Sequence, residues 1–371
     1  MNSAERMEKA LNHQEPDRVP LDLGGIVSGI TLKAHLNLKE YLGIEEKDYI
    51  IDKTQQLAKP SNRILEEFGI DTRYVFINCE EHQPDKQEEY FIDEWQVKRK
   101  RSENYAGGVY YDIVASPLED KTLADLKKED WVPVVADVES VINKTKKVAQ
   151  ENEDKTIILN YMGATFEHAW YLRGFEKLLM ELHQDPDVIN YIIDKIVDHR
   201  KSFYNQVLPQ IDPLVDILMV GDDLGTQIGP LISPDIYRKL IKPKQIDLYK
   251  HIKDKADVKL FYHTCGDCLE FVPDLIEAGI DILNPIQVSS LDPQQLKKEF
   301  GKDLVFWGGI DTHEVLPFGN TEDVEEEVKK RIDQLAPGGG FVLNSVHNIQ
   351  ADVPPENVVA MFKTALEYGK Y

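Results

Sequence analysis

A chain of 371 residues, 42% hydrophobic and 29% charged, carries enough apolar material for a large buried core, arranged either as two average domains or as one big barrel. Its formal charge of -23, from 43 Lys and Arg against 66 Asp and Glu, repels nucleic acid and anionic membrane surfaces and argues against a polyanionic substrate. No apolar run approaches the roughly 20 residues that cross a bilayer, and the polar N-terminal stretch lacks the apolar centre of a signal peptide, so a cytoplasmic protein with no membrane partner is expected.

In chain order, the first element is an amphipathic helix within MNSAERMEKALNHQEPDRVP, ended by a turn. Strand-length hydrophobic runs then recur at Val19 to Gly25, Thr72 to Asn78, Lys155 to Gly163, Val215 to Asp223, Val258 to Cys265, Ile280 to Ile286, Leu304 to Asp311 and Gly340 to His347. Helical patterns fill the intervals: Gly174 to Leu182 and Pro186 to Val207, Pro234 to Ala256, Cys268 to Ala278 and Thr321 to Leu335, with a closing helix opened by Pro354-Pro355-Glu356-Asn357. Near-continuous apolar strands alternating with helices mean a parallel sheet covered on both faces. Eight such units predict an α/β fold, a TIM (β/α)8 barrel. One stretch breaks the rhythm, about 88–118, where polar and apolar residues alternate around Ala106-Gly107-Gly108 and predict a β-hairpin insertion after the second strand. No internal repeat or low-complexity linker is visible, so residues 1–371 read as a single domain.

In such a barrel the working groups belong at the C-terminal ends of the strands. Those ends carry Asp22, Asn160 with Tyr161, Asp222-Asp223, His263 with Cys265, Asn284, Trp307 with Asp311, and Asn344 with His347. His263 and Cys265, at i and i+2, point to one side of a strand and can aim an imidazole and a thiolate at one metal ion. His347, facing them across the mouth, would give three protein ligands and one open position, the arrangement of catalytic zinc. The plainer readings are a His263 that bonds a backbone carbonyl and a His347 that pins a loop. Cys265-Gly-Asp-Cys268 also has the spacing of a dithiol redox site at a helix start, although the thioredoxin-like βαβ context is missing. Gly338-Gly339-Gly340 reads as a helix-to-strand turn, since no helix follows it to cradle a phosphate.

The elements Arg18-Val19-Pro20, Asp222-Asp223-Leu224-Gly225 with Gln227 and Gly229-Pro230, His263-Thr264-Cys265-Gly266, Leu283-Asn284-Pro285-Ile286-Gln287, Phe306 to Asp311, and His347-Asn348-Ile349-Gln350 with Pro354-Pro355-Glu356-Asn357 resemble the uroporphyrinogen decarboxylase superfamily. The resemblance runs nearly end to end, and more narrowly it is to the zinc- and corrinoid-dependent methyltransferase branch, including methyltransferase I of anaerobic O-demethylases. It implies a TIM barrel, zinc, and a corrinoid carried by a separate shuttle protein. The decarboxylase itself is a poorer match, because it recognises a many-carboxylate substrate through an arginine-rich segment resembling Q-x-x-R-Q-x-G-R, where this chain has Pro20-Leu21-Asp22-Leu23-Gly24-Gly25. The similar methyltransferases bind zinc through H-x-C and a later cysteine, and this chain places His347 there. Exchanging thiolate for neutral imidazole leaves more positive charge on the metal, which suits a Lewis acid polarising an ether oxygen.

The expected function is methyl transfer from a small methoxylated compound, an aryl methyl ether, to the Co(I) corrinoid of that partner, with zinc on His263, Cys265 and His347. Glu167, Asp223 and Asn160 are the expected catalytic groups, orienting substrate or supplying a proton. Tyr161, Phe166, Trp170, Tyr262, Trp307 and Asn284 are the expected substrate contacts, although the aromatic ones also suit ordinary barrel packing. The competing readings are transfer from methyl-corrinoid to a thiol or folate, a decarboxylase-like enzyme, and a degenerate barrel serving only as an assembly subunit. A homodimer is among the assemblies left open.

Overall fold

Seven short strands run parallel in one curled sheet of the computed structural model, which describes residues 1–77, 88–135, 137–160 and 163–371. They are β1 (Thr72–Phe76), β2 (Thr156–Asn160), β3 (Ile217–Gly221), β4 (Lys259–His263), β5 (Ile282–Asn284), β6 (Val305–Trp307) and β7 (Phe341–Val342), and their order across the sheet follows the sequence. Every residue of β2 and β3 is buried, as both faces of a covered parallel sheet require. The expected first strand, Val19 to Gly25, is reduced to a single parallel bridge from Leu21 to Leu343. Its physical limits are in the sequence: Pro20 has no N–H for a ladder, and Gly24, at φ 128°, turns the chain away. Leu343 N donates to Pro20 O and Asp71 N donates to Leu21 O, so this segment still lies between the two edges of the sheet. The architecture is α/β and fits a TIM-like barrel.

The period of two divides the core. Ile158, Ile217, Met219, Phe261, Ile282, Val305, Trp307 and Val342 pack together in the interior, while the intervening Leu159, Leu218, Val220, Leu260, Tyr262, Leu283 and Phe306 pack outward against the helices. The N-terminal helix Ser3–Leu11 starts with an Asn2/Glu5 capping box and sends Met7 and Leu11, one turn apart, into the interior cluster. Among the described residues no helix is long and apolar enough to cross a membrane.

Between β1 and β2 three antiparallel strands, Tyr90–Ile92, Lys98–Glu103 and Val109–Ala115, form a separate small sheet. Its turn is closed by Asn104 Oδ1, which accepts from the N–H groups of Ala106 and Gly108, with Gly107 in the left-handed region. Tyr111 N donates to Thr54 O at 2.9 Å, and Tyr105 OH donates to Asp352 at 2.6 Å, so the sheet reaches the loop beyond β7.

Candidate metal centre

His263 ends β4 two residues after interior-facing Phe261, so its ring enters the barrel. The neighbouring strand fixes that ring. Asn284 pairs with His263 in register, and its Oδ1 lies 2.6 Å from His263 Nδ1, so that nitrogen is the donor and Nε2 is left with its lone pair facing outward from the bond. Asn284 Nδ2 donates in turn to Trp307 O at 3.1 Å. Cys265 is placed by its own backbone N–H, which donates to Asp223 Oδ1 at 2.8 Å, and its Sγ stands 3.3 Å from His263 Nε2. His347 lies beyond β7 with its ring centroid 5.6 Å from that of His263. One ligand atom from each of these three side chains lies within 4.8 Å of the others.

The donor set fits zinc. Tetrahedral bonds of the usual Zn–N and Zn–S lengths put an N and an S about 3.6 Å apart, close to the separation found here. Burial holds both imidazoles neutral: His347 is pulled down to about 3 by burial and by its histidine neighbours, and His263 is lowered by burial against the opposing charge of Asp223. The Cys265 thiol is driven well above its ordinary range by burial and by the charges of Asp223 and Glu167. A thiolate in that setting needs a cation beside it.

The acids sit next to this cluster in a graded set. Asp222 is fully buried and takes bonds from Thr165 N (2.9 Å), Thr165 Oγ1 (2.7 Å), Glu167 N (2.7 Å) and Gln245 Nε2 (2.8 Å), so it anchors the start of the helix Phe166–Arg173. Burial outweighs those bonds and raises it to about 6. Glu167 rises further, to about 8, through burial and then the negative charge of Asp223. Tyr171, one helical turn on, donates its hydroxyl to Glu167 Oε1. Asn160, at the end of β2, shares the interior face with Ile158, and neither its Oδ1 nor its Nδ2 has a partner among the described residues.

Most of the aromatic side chains expected at the substrate are not brought to the cluster. Tyr262 is adjacent to His263 and therefore faces the other way, fully buried with its hydroxyl near Gln245 and the Asp222 carbonyl. Phe166 packs in the outer core, edge-on to Trp170 at 5.2 Å, and Trp170 turns to Phe175 beside the small antiparallel sheet. Trp307 does face inward, but it is wholly buried, with its indole N–H on Asp22 at 2.9 Å and its ring edge-on to Phe261. Asn284 has both polar atoms engaged, Oδ1 with His263 Nδ1 and Nδ2 with Trp307 O. Tyr161 lies outside the described residues. Tyr171, missing from the expected set, was marked only by standing at i+4 from Glu167. Asp22 gathers Thr72 Oγ1 (2.5 Å), Tyr74 OH (2.9 Å), Trp307 Nε1 and Asn344 Nδ2 (3.1 Å), which makes it the hub of a buried network below the mouth.

A TIM-like barrel with a cluster of side chains at its strand ends that could hold a metal ion defines a class of enzyme folds. Residues 109–368 match the family described as Uroporphyrinogen decarboxylase (URO-D), and the chain belongs to that family. It is 24% identical to a uroporphyrinogen decarboxylase of Pseudoalteromonas atlantica over 71% of this chain and 75% of the relative. It is 25% identical to one of Citrifermentans bemidjiense over 67% and 70% respectively. Among solved structures, a methyltransferase from Methanosarcina mazei superposes with a TM-score of 0.65 at 16% identity, covering 99% of both chains, and so shares the fold.

Proposed function

We propose that the whole chain, residues 1–371, is one zinc-dependent methyltransferase domain. It takes a methyl group from a small aryl methyl ether and delivers it to the Co(I) corrinoid of a separate shuttle protein, as the first methyltransferase of an O-demethylase. The observation that carries the reading is the convergence of His263, Cys265 and His347 near a carboxyl, Glu167, that burial and Asp223 raise to about 8. His263, Cys265 and His347 would hold a zinc ion, which would supply Lewis acidity toward an ether oxygen. Asn284 keeps the His263 ring oriented for that task, and Asp223 holds the Cys265 backbone. As the methyl–oxygen bond breaks, its electron pair stays on the phenolic oxygen, and Glu167 gives that oxygen its proton.

The curated relatives carry the decarboxylase name, but two features of this chain weigh against that activity. The interior position on the first-strand segment is an aspartate, Asp22, where recognition of a polycarboxylate would call for arginines. The acids Asp222 and Asp223 would repel such a substrate. The discriminating experiment measures metal content, then the consumption of Co(I) cobalamin with a panel of methoxyarenes. Stoichiometric zinc and methylcobalamin formation are expected. A protein that takes up no zinc, or that methylates thiols while ignoring methoxyarenes, would end this reading.

A further inference from the structure

A cavity of about 540 Å³ opens between the long helix Pro186–Ile211 and the chain that follows the short helix Leu123–Leu126, and it shares no residue with the metal cluster. Its volume lies within the roughly 300–1,000 Å³ of small-molecule sites. One wall is the apolar run Trp131 to Val135, in which Trp131, Val132 and Val135 are half-buried against the core and Val134 is 92% exposed. An apolar wall left facing water marks a surface that another molecule covers. The two sides are tied at one end: Trp131 Nε1 donates to Leu126 O at 3.2 Å, and Tyr191 on the long helix donates its hydroxyl to the same carbonyl at 3.4 Å.

The helix side supplies the polar groups. His199 is only 9% exposed, yet neither ring nitrogen has a hydrogen-bond partner among the described residues; the Val134 carbonyl lies near the ring without closing a bond. Burial, then the charge of Arg200, pull this imidazole down to about 4, so at neutral pH it holds one N–H ready to donate. Buried polar groups are almost always bonded, so an orphaned ring on a cavity wall points to a ligand. Lys127 and Lys195 stand over the Tyr191 ring, 5.8 and 5.6 Å from its centroid, and neither they nor Lys128 has a carboxylate within ion-pair distance among the described residues. Of the acids around the cavity, Glu129 is taken by Lys121 at 2.7 Å, which leaves Asp130 and Asp198. Three unpaired lysines against two aspartates accommodate one further negative charge, in a chain whose overall charge is -23.

We propose that this cavity binds a small monocarboxylate with an apolar body, its carboxylate set between Lys127, Lys195 and the His199 N–H and its body covering Trp131 and Val134. The proposal stands independently of the methyl-transfer reading. A neutral apolar compound would leave the lysines unanswered. A dianion would bring its second charge against Asp130 and Asp198.

The test is calorimetric titration of the full chain with 3-phenylpropionate, its neutral amide, phenylsuccinate and inorganic phosphate. The wild type should bind 3-phenylpropionate about tenfold more tightly than the amide and more tightly than phenylsuccinate, with no heat from phosphate. Lys127→Met with Lys195→Met should bring acid and amide to about equal affinity. Val134→Asp, at a site too exposed to disturb folding, should weaken the acid about tenfold or more. Cys265→Ser should bind the acid as the wild type does, because the cavity lies apart from the metal cluster. An acid preference that survives the double substitution, phenylsuccinate or phosphate binding as tightly as the monocarboxylate, or binding that disappears in Cys265→Ser would each overturn the proposal. A wild type that binds none of the four would overturn it too, since the cavity would then hold only water.

Discussion

Glu167 shows how far surroundings can move a side chain that the sequence merely names. Its carboxyl is lifted from 4.5 to about 8 by burial and by Asp223, so the proton donor is present below that pH and lost as pH rises through it. Turnover of a methoxyarene should therefore fall above about pH 8, and Glu167→Gln should flatten that limb and cost about 10² to 10⁴ in kcat. A pH–rate profile from 6 to 9.5 decides the matter, and identical limbs in both proteins would remove Glu167 from proton delivery. The linkage has a definite sign. Because the folded-state value is raised above the unfolded one, its contribution to stability is intact below about pH 4 and is progressively lost as pH climbs to about 8. Urea titrations at pH 6 and pH 9 should show the wild type losing on the order of a few kcal/mol relative to Glu167→Gln. Cys268 tests the ligand set from the other side. It is fully buried in the outer core with its thiol raised to about 12 by burial, and it stands outside the group of three. Cys268→Ser should keep one zinc per chain while Cys265→Ser loses it, and metal analysis showing the reverse would point to a Cys265 and Cys268 site. The residues that were legible are those fixed by spacing: His263 and Cys265 at i and i+2. The same parity, applied one residue back, turns Tyr262 outward. Asn284 was visible as a rim residue, but its bond to His263 depends on strand register, which no local pattern encodes.

Elements follow the sequence where one local rule dominates and depart where two compete. Thr321–Leu335 has the bounds its pattern predicts, because the Asn320/Asp323 capping box fixes its start. The run expected from Pro234 to Ala256 instead falls into Pro234–Ile236, a π turn over Tyr237–Ile241, and Lys242–Lys253. Pro243 brings no N–H and crowds the preceding turn, so the backbone widens there. The stretch about 88–118 was read from alternation around a glycine turn, which locates the pair Lys98–Glu103 and Val109–Ala115. The third strand, Tyr90–Ile92, joins through Gln96 at φ 67°, a left-handed position that no glycine announces. The N-terminal helix carries a testable weight. Met7 is wholly buried against the interior cluster, at a helix position that the amphipathic pattern alone assigns to the core. Met7→Ala should cost about 2–5 kcal/mol in chemical denaturation, with zinc content unchanged, since the cavity opens below the interior network and away from the ligands. A loss under about 0.5 kcal/mol would mean that the helix does not plug the barrel.

At the scale of the molecule, one question is whether the metal cluster holds the barrel up or is held by it. Among the described residues the interior and outer clusters together bury most of the large apolar side chains, and the three residues proposed to hold the metal sit at strand ends and in the loop beyond β7. A chain of this length buries a large fraction of its surface without help from a metal, unlike a small zinc-dependent domain that unfolds when its ion is removed. The only coupling expected is mass action, by which an ion that binds the folded state alone adds RT ln(1 + [L]/Kd) to its stability, about 4 kcal/mol at a thousandfold excess over Kd. Chelation should therefore abolish activity while leaving the far-ultraviolet circular dichroism intact and the thermal transition cooperative, with a midpoint lower by several degrees that zinc restores. The same reasoning makes His263→Ala and Cys265→Ala folded proteins without metal. If chelation instead collapses the secondary structure, the His263, Cys265 and His347 cluster is a structural staple, its fourth position is closed, and the proposed chemistry has no place to occur.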